Sequence, residues 1–457
     1  MSISRAGLAS MSPALKPLVG ALVLAFGAVG AQAQSLSEVV QAARGVDATY
    51  LGAQSSADAA HYRYEQSRSA HLPTAGLAVS AARDNSTTPE PPSSGSTSQT
   101  VKTTSVGGTV TASQSIFNRQ NDLAIDVAAK AEEVARSQLA QADQDLIVRV
   151  AQAYFNVLAA ADALTSVQGN SKSIGEQLAS AKRNFEVGNA TITDTREAEA
   201  RADLARSKQI AAENDLLVAK VTLDQLVGRN GVVPHPLILP AVLPPVMPSQ
   251  ASDWVTLAES DSQALKQARI GLEAAEITTA KARAGHLPTL GAQAVLTRGR
   301  LHNDIGGLGT YSGPNRDASI GVTLNVPIFS GFLIQNQVNE ASALERKART
   351  DADGVHNNVV LGTRTAFVGA LTNAAQVKAL EAAEASSKLA LDATLLGYKV
   401  GVKVNLDVLN AQSQLYDTQT QAAGARYQYL LSTLKLRQAA GNLGSNDLLP
   451  IDALLVK

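Results

Sequence analysis

The chain repeats itself. Phe185-Glu186-Val187-Gly188 and Asp194 recur as Tyr398-Lys399-Val400-Gly401 and Asp407, both at an offset of 213 residues. His71-Leu72-Pro73-Thr74 returns as His286-Leu287-Pro288-Thr289, Ile116-Phe117 as Ile328-Phe329, and Gly228 as Gly441, in the same order. Ordered landmarks at one near-constant offset mean that a single architectural unit occurs twice.

Proline placement says what each unit is made of. No proline occurs between Pro92 and Pro234 or between Pro327 and Pro450. Proline removes a donor and clashes with the preceding turn, so long proline-free stretches rich in Ala, Leu, Gln, Glu and Lys predict very long helices. Leu123, Val127, Val134, Leu146, Val150, Ala153 and Val157 hold an apolar stripe at helical spacing. A helix over 119–187 spans roughly 100 Å at 1.5 Å per residue. Gly169 and Gly175 are the places where it would weaken. Gly188 and Gly401 suit left-handed helix caps, and Thr193-Asp194 and Asn405-Leu406-Asp407 offer N-cap side chains to returning helices. Each unit thus predicts an antiparallel helical hairpin. Its return arm ends near Gly228 or Gly441 and is completed by a short helix, 35–70 or 250–285.

Between short and long helices the period changes to two. Ile320, Val322, Leu324 and Val326 alternate with Ser319, Gly321, Thr323 and Asn325, giving one apolar and one small polar face. The predicted strands are 72–84, 101–113, 287–300 and 316–326, each about the ten residues that cross a tilted barrel wall. Residues 85–100, rich in Ser, Thr and Pro, and the Gly-rich 301–315 read as exposed loops. Four strands cannot close a barrel, and lipid does not tolerate open edges. A membrane reading therefore requires several chains to pool strands, and the competing reading is a soluble sheet packed on a helix. Phe117, Phe329 and Phe332, just past the second strand of each pair, suit an interfacial ring or a strand–helix junction core.

Residues 1–33 read as a signal peptide, with basic Arg5 and Lys16, an apolar run from Leu18 to Val29, and Ala31-Gln32-Ala33 as cleavage site. No later segment reads as a membrane-crossing helix. The organisation is then a first repeat at 34–228, a Pro-rich linker at 229–249, a second repeat at 250–441 and a tail at 442–457. With no cysteine, the chain has neither disulfides, thiolate metal sites nor a lipid-bearing cysteine, and its net charge of −1 gives no reason to expect nucleic acid. The six histidines form no metal-ligand pattern, and His71 and His286 occupy equivalent helix–strand corners. Residues 307–313 miss the dinucleotide-binding spacing by one residue and lack its strand–turn–helix setting. No catalytic residue, cofactor or metal is expected.

These residues resemble the TolC-type outer-membrane efflux proteins. The resemblance rests on Gln114-Ser115-Ile116-Phe117, Ala153-Tyr154-Phe155-Asn156-Val157-Leu158, the two hairpin motifs with Ile192-Thr193-Asp194, and His286-Leu287-Pro288-Thr289. Leu406-Asp407-Val408-Leu409-Asn410-Ala411 and Asp447-Leu448-Leu449 extend it over essentially the whole mature chain. The resemblance implies an α+β membrane protein, internally duplicated. In it a homotrimer pools four strands per chain into a twelve-stranded barrel, and its helical hairpins continue as a periplasmic α-barrel belted by the linker. It implies an exit duct for drug efflux or type I protein secretion in the outer membrane of a Gram-negative bacterium. The partners would be a periplasmic adaptor, an inner-membrane pump of the ABC or RND type, and outer-membrane lipid. It also implies a gate network of Thr193, Asp194, Tyr398 and Lys403, in which Asp194 bonds Tyr398 and the basic residue reaches a neighbour. Asp407 and Asn410 would line the constriction, and the turns at Gly188 and Gly401 would meet the adaptor. Lysine stands where an arginine is usual, and Asn410 where a carboxylate is usual. A periplasmic coiled-coil adaptor or scaffold is the alternative, though it predicts one hairpin with compact β domains; a substrate-specific porin would lack the long helices.

Overall fold

The computed structural model describes residues 34–88, 99–188, 190–239, 243–306 and 309–456. The signal peptide lies outside them. Two helices, α1 (Leu36–Arg44) and α2 (Ala48–Arg68), lead into strands β1 (Thr74–Thr88) and β2 (Gln99–Phe117). The hairpin of α3 (Arg119–Glu186) and α4 (Ile192–Val227) follows. The second unit repeats this order as α5 (Ala251–Asp261), α6 (Gln263–Arg283), β3 (Thr289–Ile305), β4 (Gly309–Asn325), α7 (Leu333–Lys399) and α8 (Asn405–Ala439), before a short α9 (Leu449–Asp452).

The long helices run unbroken for 68 and 67 residues. α3 starts where the Asn118 side chain accepts from the backbone N–H groups of Gln120 and Asn121. It passes through Gly169, whose missing side chain makes room for a neighbour: a Cβ there would stand 2.8 Å from Tyr416 Cε1. One 18-residue window of α3 reaches a mean hydropathy of 1.2, against the expectation that nothing past the leader would. Half of that window is buried within the chain, as befits a core helix.

The short helices are each broken once, which the expectation of single helices at 35–70 and 250–285 missed. Asp47 caps α2 by accepting from Tyr50 N at 2.8 Å, and Ser262 caps α6 by accepting from Leu265 N at 3.4 Å. The return arms end against these breaks. Gly228 (φ +68) abuts Val46, and Gly441 (φ +78) abuts Asp261 and Ser262.

Around these junctions lies the main core. Leu146, Ile147, Tyr154 and Phe155 of α3 pack with Leu36, Leu223, Leu430 and Leu434. Asp452 closes it by capping α1, its Oδ1 accepting from Leu36 N at 2.8 Å. Tyr154 sits between the linker and the N-terminal segment, donating to the Gln34 carbonyl at 2.9 Å while accepting from His235 N at 2.8 Å. Burial pushes its phenol pKa far above the ordinary value. The partly buried fork of Arg149 on Asp47, 3.0 Å on each arm, ties α3 to the first break.

The sheet is a single antiparallel meander, β1-β2-β3-β4, with a bulge between Ser115 and Phe117. Its strands have 15 to 19 residues rather than about ten. Much of each segment read as loop belongs to the ladder, with register continuing through His302↔Ser312 to Ile305↔Gly309. Pro314 of β4, assigned to a loop from the sequence, pairs with Arg300 of β3.

Candidate channel entrance and bilayer-facing surface

Alternation along the strands produces two unlike faces. Leu77↔Val110, Val110↔Leu296, Leu296↔Ala318 and Ala294↔Ile320 are register partners and share one face. That face is uncovered, with Ile320 86% exposed. The opposite face carries Thr103, Ser105, Thr109, Thr297, Ser319 and Thr323, and Thr109 and Thr297 hydroxyls meet at 3.2 Å. A sheet apolar on one side and hydroxylated on the other, with no layer over the apolar side among the described residues, separates lipid from water. The soluble two-layer alternative would need that face covered.

Phe117, Phe329 and Phe332 are all exposed where strands give way to helices. Phe117 is the last residue of β2 rather than a residue beyond it. Phe329 and Phe332 stack edge to face with ring centroids 5.5 Å apart. Phe332 has a left-handed backbone (φ +64) immediately before α7, and Ile328 beside them is 96% exposed.

At the other end both hairpins turn on left-handed glycines, Gly188 at φ +80 and Gly401 at φ +82. Open space surrounds both, so conformation rather than crowding selects glycine there. The caps of the returning helices differ from those expected. Thr191 caps α4, its Oγ1 accepting from Asp194 N at 3.1 Å while Asp194 Oδ2 accepts from Thr191 N at 2.9 Å. Val404, which has no polar side chain, occupies the cap position of α8, and Asp407 Oδ2 accepts from its N–H at 3.4 Å. Thr193 and Asn405 already lie inside the helices, two residues past the Thr191 cap and one past the Val404 position.

The expected gate residues lie at this tip, but within one chain they are otherwise engaged. Asp194 bonds Thr191, not Tyr398; Tyr398 Oη instead accepts from Asn184 Nδ2 at a long 3.5 Å. Lys403 lies over Gly397, where a Cβ would meet its Cγ at 2.9 Å, and its Nζ is 3.5 Å from Asp407 Oδ2. Both partners of that pair are exposed, so it contributes at most about 1 kcal/mol.

Asn410 is held from the other hairpin. Arg201 Nη2 of α4 donates to its Oδ1 at 3.1 Å, and one heptad further Lys208 Nζ lies 3.9 Å from Asp417 Oδ1. Neither Arg201 nor Lys208 was singled out from the sequence, although 201/208 and 410/417 share the seven-residue spacing of a helix seam. Beneath this seam Ile174, Ala181, Ala198, Ala205 and Leu409 form a small core joining the hairpins. The hydrogen bond of Arg196, reinforced by Lys182, holds the exposed Glu199 carboxyl below its ordinary range. Among the described residues no group of His, Cys, Asp and Glu is arranged to hold a metal ion.

Comparison with known proteins agrees with this fold. The sequence model of the family described as outer membrane efflux protein matches residues 31–229 and 254–442, one segment per repeat. The chain is 31% identical to outer membrane protein TolC of Vibrio cholerae over 425 residues, covering 92% of this chain and 94% of that one. It is also 31% identical over 313 residues to the alkaline protease secretion protein AprF of Pseudomonas aeruginosa, covering 67% and 63% of the two chains. Among solved structures, the outer membrane protein VceC of Vibrio cholerae superposes with a TM-score of 0.72 at 19% identity, over 89% of this chain and 96% of that one.

Proposed function

The chain belongs to the outer membrane efflux protein family, and from that premise we propose how its exit duct is assembled and closed. The protein is a non-enzymatic duct of the Gram-negative outer membrane. Three copies pool four strands each into a twelve-stranded barrel, and their hairpins continue the passage through the periplasm. One observation carries this reading: an uncovered apolar sheet whose outer strands, β1 and β4, each have an unpaired edge. Such edges cannot remain open in lipid and are satisfied by joining β4 of one copy to β1 of the next.

The hairpin tips around Gly188 and Gly401 form the entrance and meet a periplasmic adaptor, which links the duct to an inner-membrane pump. AprF is by its name a protease secretion protein, and its similarity supports type I secretion as one use of this duct, with small-molecule efflux as the other. Thr193, Asp194, Tyr398 and Lys403 close the entrance through contacts between copies. Lys403 must then leave the weak pair it forms with Asp407 in the single chain. As a point-charge donor, lysine makes a looser latch than a forked guanidinium would. Asp407 and Asn410 line the constriction behind it.

Light scattering of the purified mature protein in mild detergent is expected to give a trimer, and planar bilayers are expected to show discrete channel conductance. A monomer that remains soluble without detergent and keeps its full β-signal in circular dichroism would overturn the assignment.

A further inference from the structure

The charges of the sheet are segregated by face. Arg83, Lys102, Arg298, Arg300 and Arg316 all fall in the register that carries Leu77, Val110, Leu296 and Ile320, so every cation of the described strands points toward lipid. Asp84 and Asp317 fall in the opposite register, with the hydroxyl-lined face. Asp304 is the one carboxylate on the outward face among the described strand residues, and it stands opposite Lys102, away from the arginines. The five cations sit on the side of the apolar stretch remote from Phe117 and α3, which is the extracellular side.

Arginine toward lipid is costly at the bilayer midplane and nearly free at its interface, so this placement marks the outer headgroup level. Arg298 and Arg316 are direct register partners, and Arg298 also pairs with Gly108, which offers no side chain. Like charges directly opposite each other destabilise a ladder. The salt bridges that arginines make among the described residues involve neither Arg298 nor Arg316. The pair therefore lacks an anion that the protein does not supply. On the bilayer side of the pair is a depression of about 360 Å³, lined by Val110, Ala112, Ala294, Leu296, Ala318 and Ile320. Its alanines set the floor and the larger residues its walls.

We propose that this face binds the phosphorylated glycolipid of the outer leaflet, with a headgroup phosphate forked by Arg298 and Arg316 and assisted by Arg300, and an acyl chain along the alanine depression. Guanidinium suits phosphate through paired donors, and the adjoining depression is lined mainly by apolar side chains. The inference rests on the outer-membrane reading above.

The test is native mass spectrometry of the detergent-solubilised full-length mature protein, titrated with bis-phosphorylated lipid A, its dephosphorylated counterpart and phosphatidylglycerol. Lipid A is expected to form adducts that survive activation, with dephosphorylation weakening binding about tenfold or more. R298Q/R316Q is expected to produce the same loss while keeping assembly and conductance. Should the double variant fail to assemble, Arg300→Gln and the charge-neutral Ala318→Phe, which fills the depression, each provide a separate reading and are expected to weaken retention. Equal retention of the dephosphorylated lipid, equal retention of phosphatidylglycerol, or no effect of these substitutions would overturn the proposal. A detergent-requiring trimer that ignores lipid phosphate refutes this inference alone, whereas a detergent-free soluble monomer refutes the membrane reading beneath it.

Discussion

Gly228 touches Val46 so closely that a Cβ on the glycine would stand 2.5 Å from Val46 Cγ1. The equivalent Gly441 is equally confined, with a Cβ falling 2.5 Å from Ser262 Cα. Gly188 and Gly401 have the same left-handed backbone but open surroundings. Alanine at the tips is therefore expected to cost only backbone strain, about 1–2 kcal/mol. At Gly441 the clash is with backbone, which cannot swing aside, and the loss is expected to reach about 3 kcal/mol or more. Thermal unfolding in detergent compares the four variants; equal losses at tip and junction would refute the packing argument.

Asp47 and Arg149 form a forked pair with the carboxylate almost buried. Burial by itself raises the Asp47 pKa, but the Arg149 hydrogen bonds, the Tyr50 and Thr49 N–H groups and the arginine charge together hold it below its ordinary value. A depressed folded pKa means that the stabilisation is complete above the unfolded value of about 3.9 and is lost as pH falls through the lower folded value. Asp47→Asn is expected to cost about 2–3 kcal/mol at neutral pH and to flatten the acid limb of the stability curve. An unchanged acid limb would exclude Asp47 as a contributor.

Gly169→Ala should help an isolated helix by about 1 kcal/mol. Here the new methyl would meet Tyr416 Cε1 at 2.8 Å and disturb a ring whose hydroxyl is 3.2 Å from Ser173 Oγ. A net loss of about 1–2 kcal/mol is expected, reversed to a gain when Tyr416→Ala is the background. A double-mutant cycle in thermal unfolding measures the coupling, and additive effects would place Tyr416 elsewhere.

In the proposed constriction a ring of Asp407 carboxylates would lie beside Lys403, whose Nζ is 3.5 Å from Asp407 Oδ2 within the single chain. Asp407→Asn is expected to lower cation selectivity and Lys403→Gln to raise it, because a narrow ring of like charge focuses potential. Asn410→Asp adds charge beside Arg201, whose donor it already accepts, and is expected to tighten block by multivalent cations. Reversal potentials across a salt gradient decide it: identical values for wild type and Asp407→Asn would remove Asp407 from the pore lining.

What could be read from the sequence was local. The alternation Ile320-Val322-Leu324 marked a strand because its period is set by the backbone alone, and proline-free runs marked α3 and α7 for the same reason. The strand extensions through His302 and Ser312 were hidden because Gly, Asn and Pro have low strand propensity, and only the partner across the ladder holds them extended. The helix breaks at Asp47 and Ser262 escaped the sequence reading because Asp and Ser are common within polar helix faces, and it is the return-arm glycines packed at Val46 and Ser262 that set these positions apart. At the tip, the residue types were recognisable, whereas Arg201 reaches Asn410 from the other repeat, a contact between distant segments that no local pattern encodes.

The middle of α3 is clamped by Tyr154 in the main core, whereas its lower end reaches the tip as one unbroken helix. Some 30 residues separate clamp from tip, a stiff arm of roughly 50 Å. Each degree of tilt at the clamp then sweeps the tip sideways by about 0.9 Å at that arm length. The helix is a lever with its fulcrum in the densest packing and its free end at the weakest contacts. A force applied at the tip would therefore work with mechanical advantage against the core, while motions too small to disturb Tyr154 would still displace the tip.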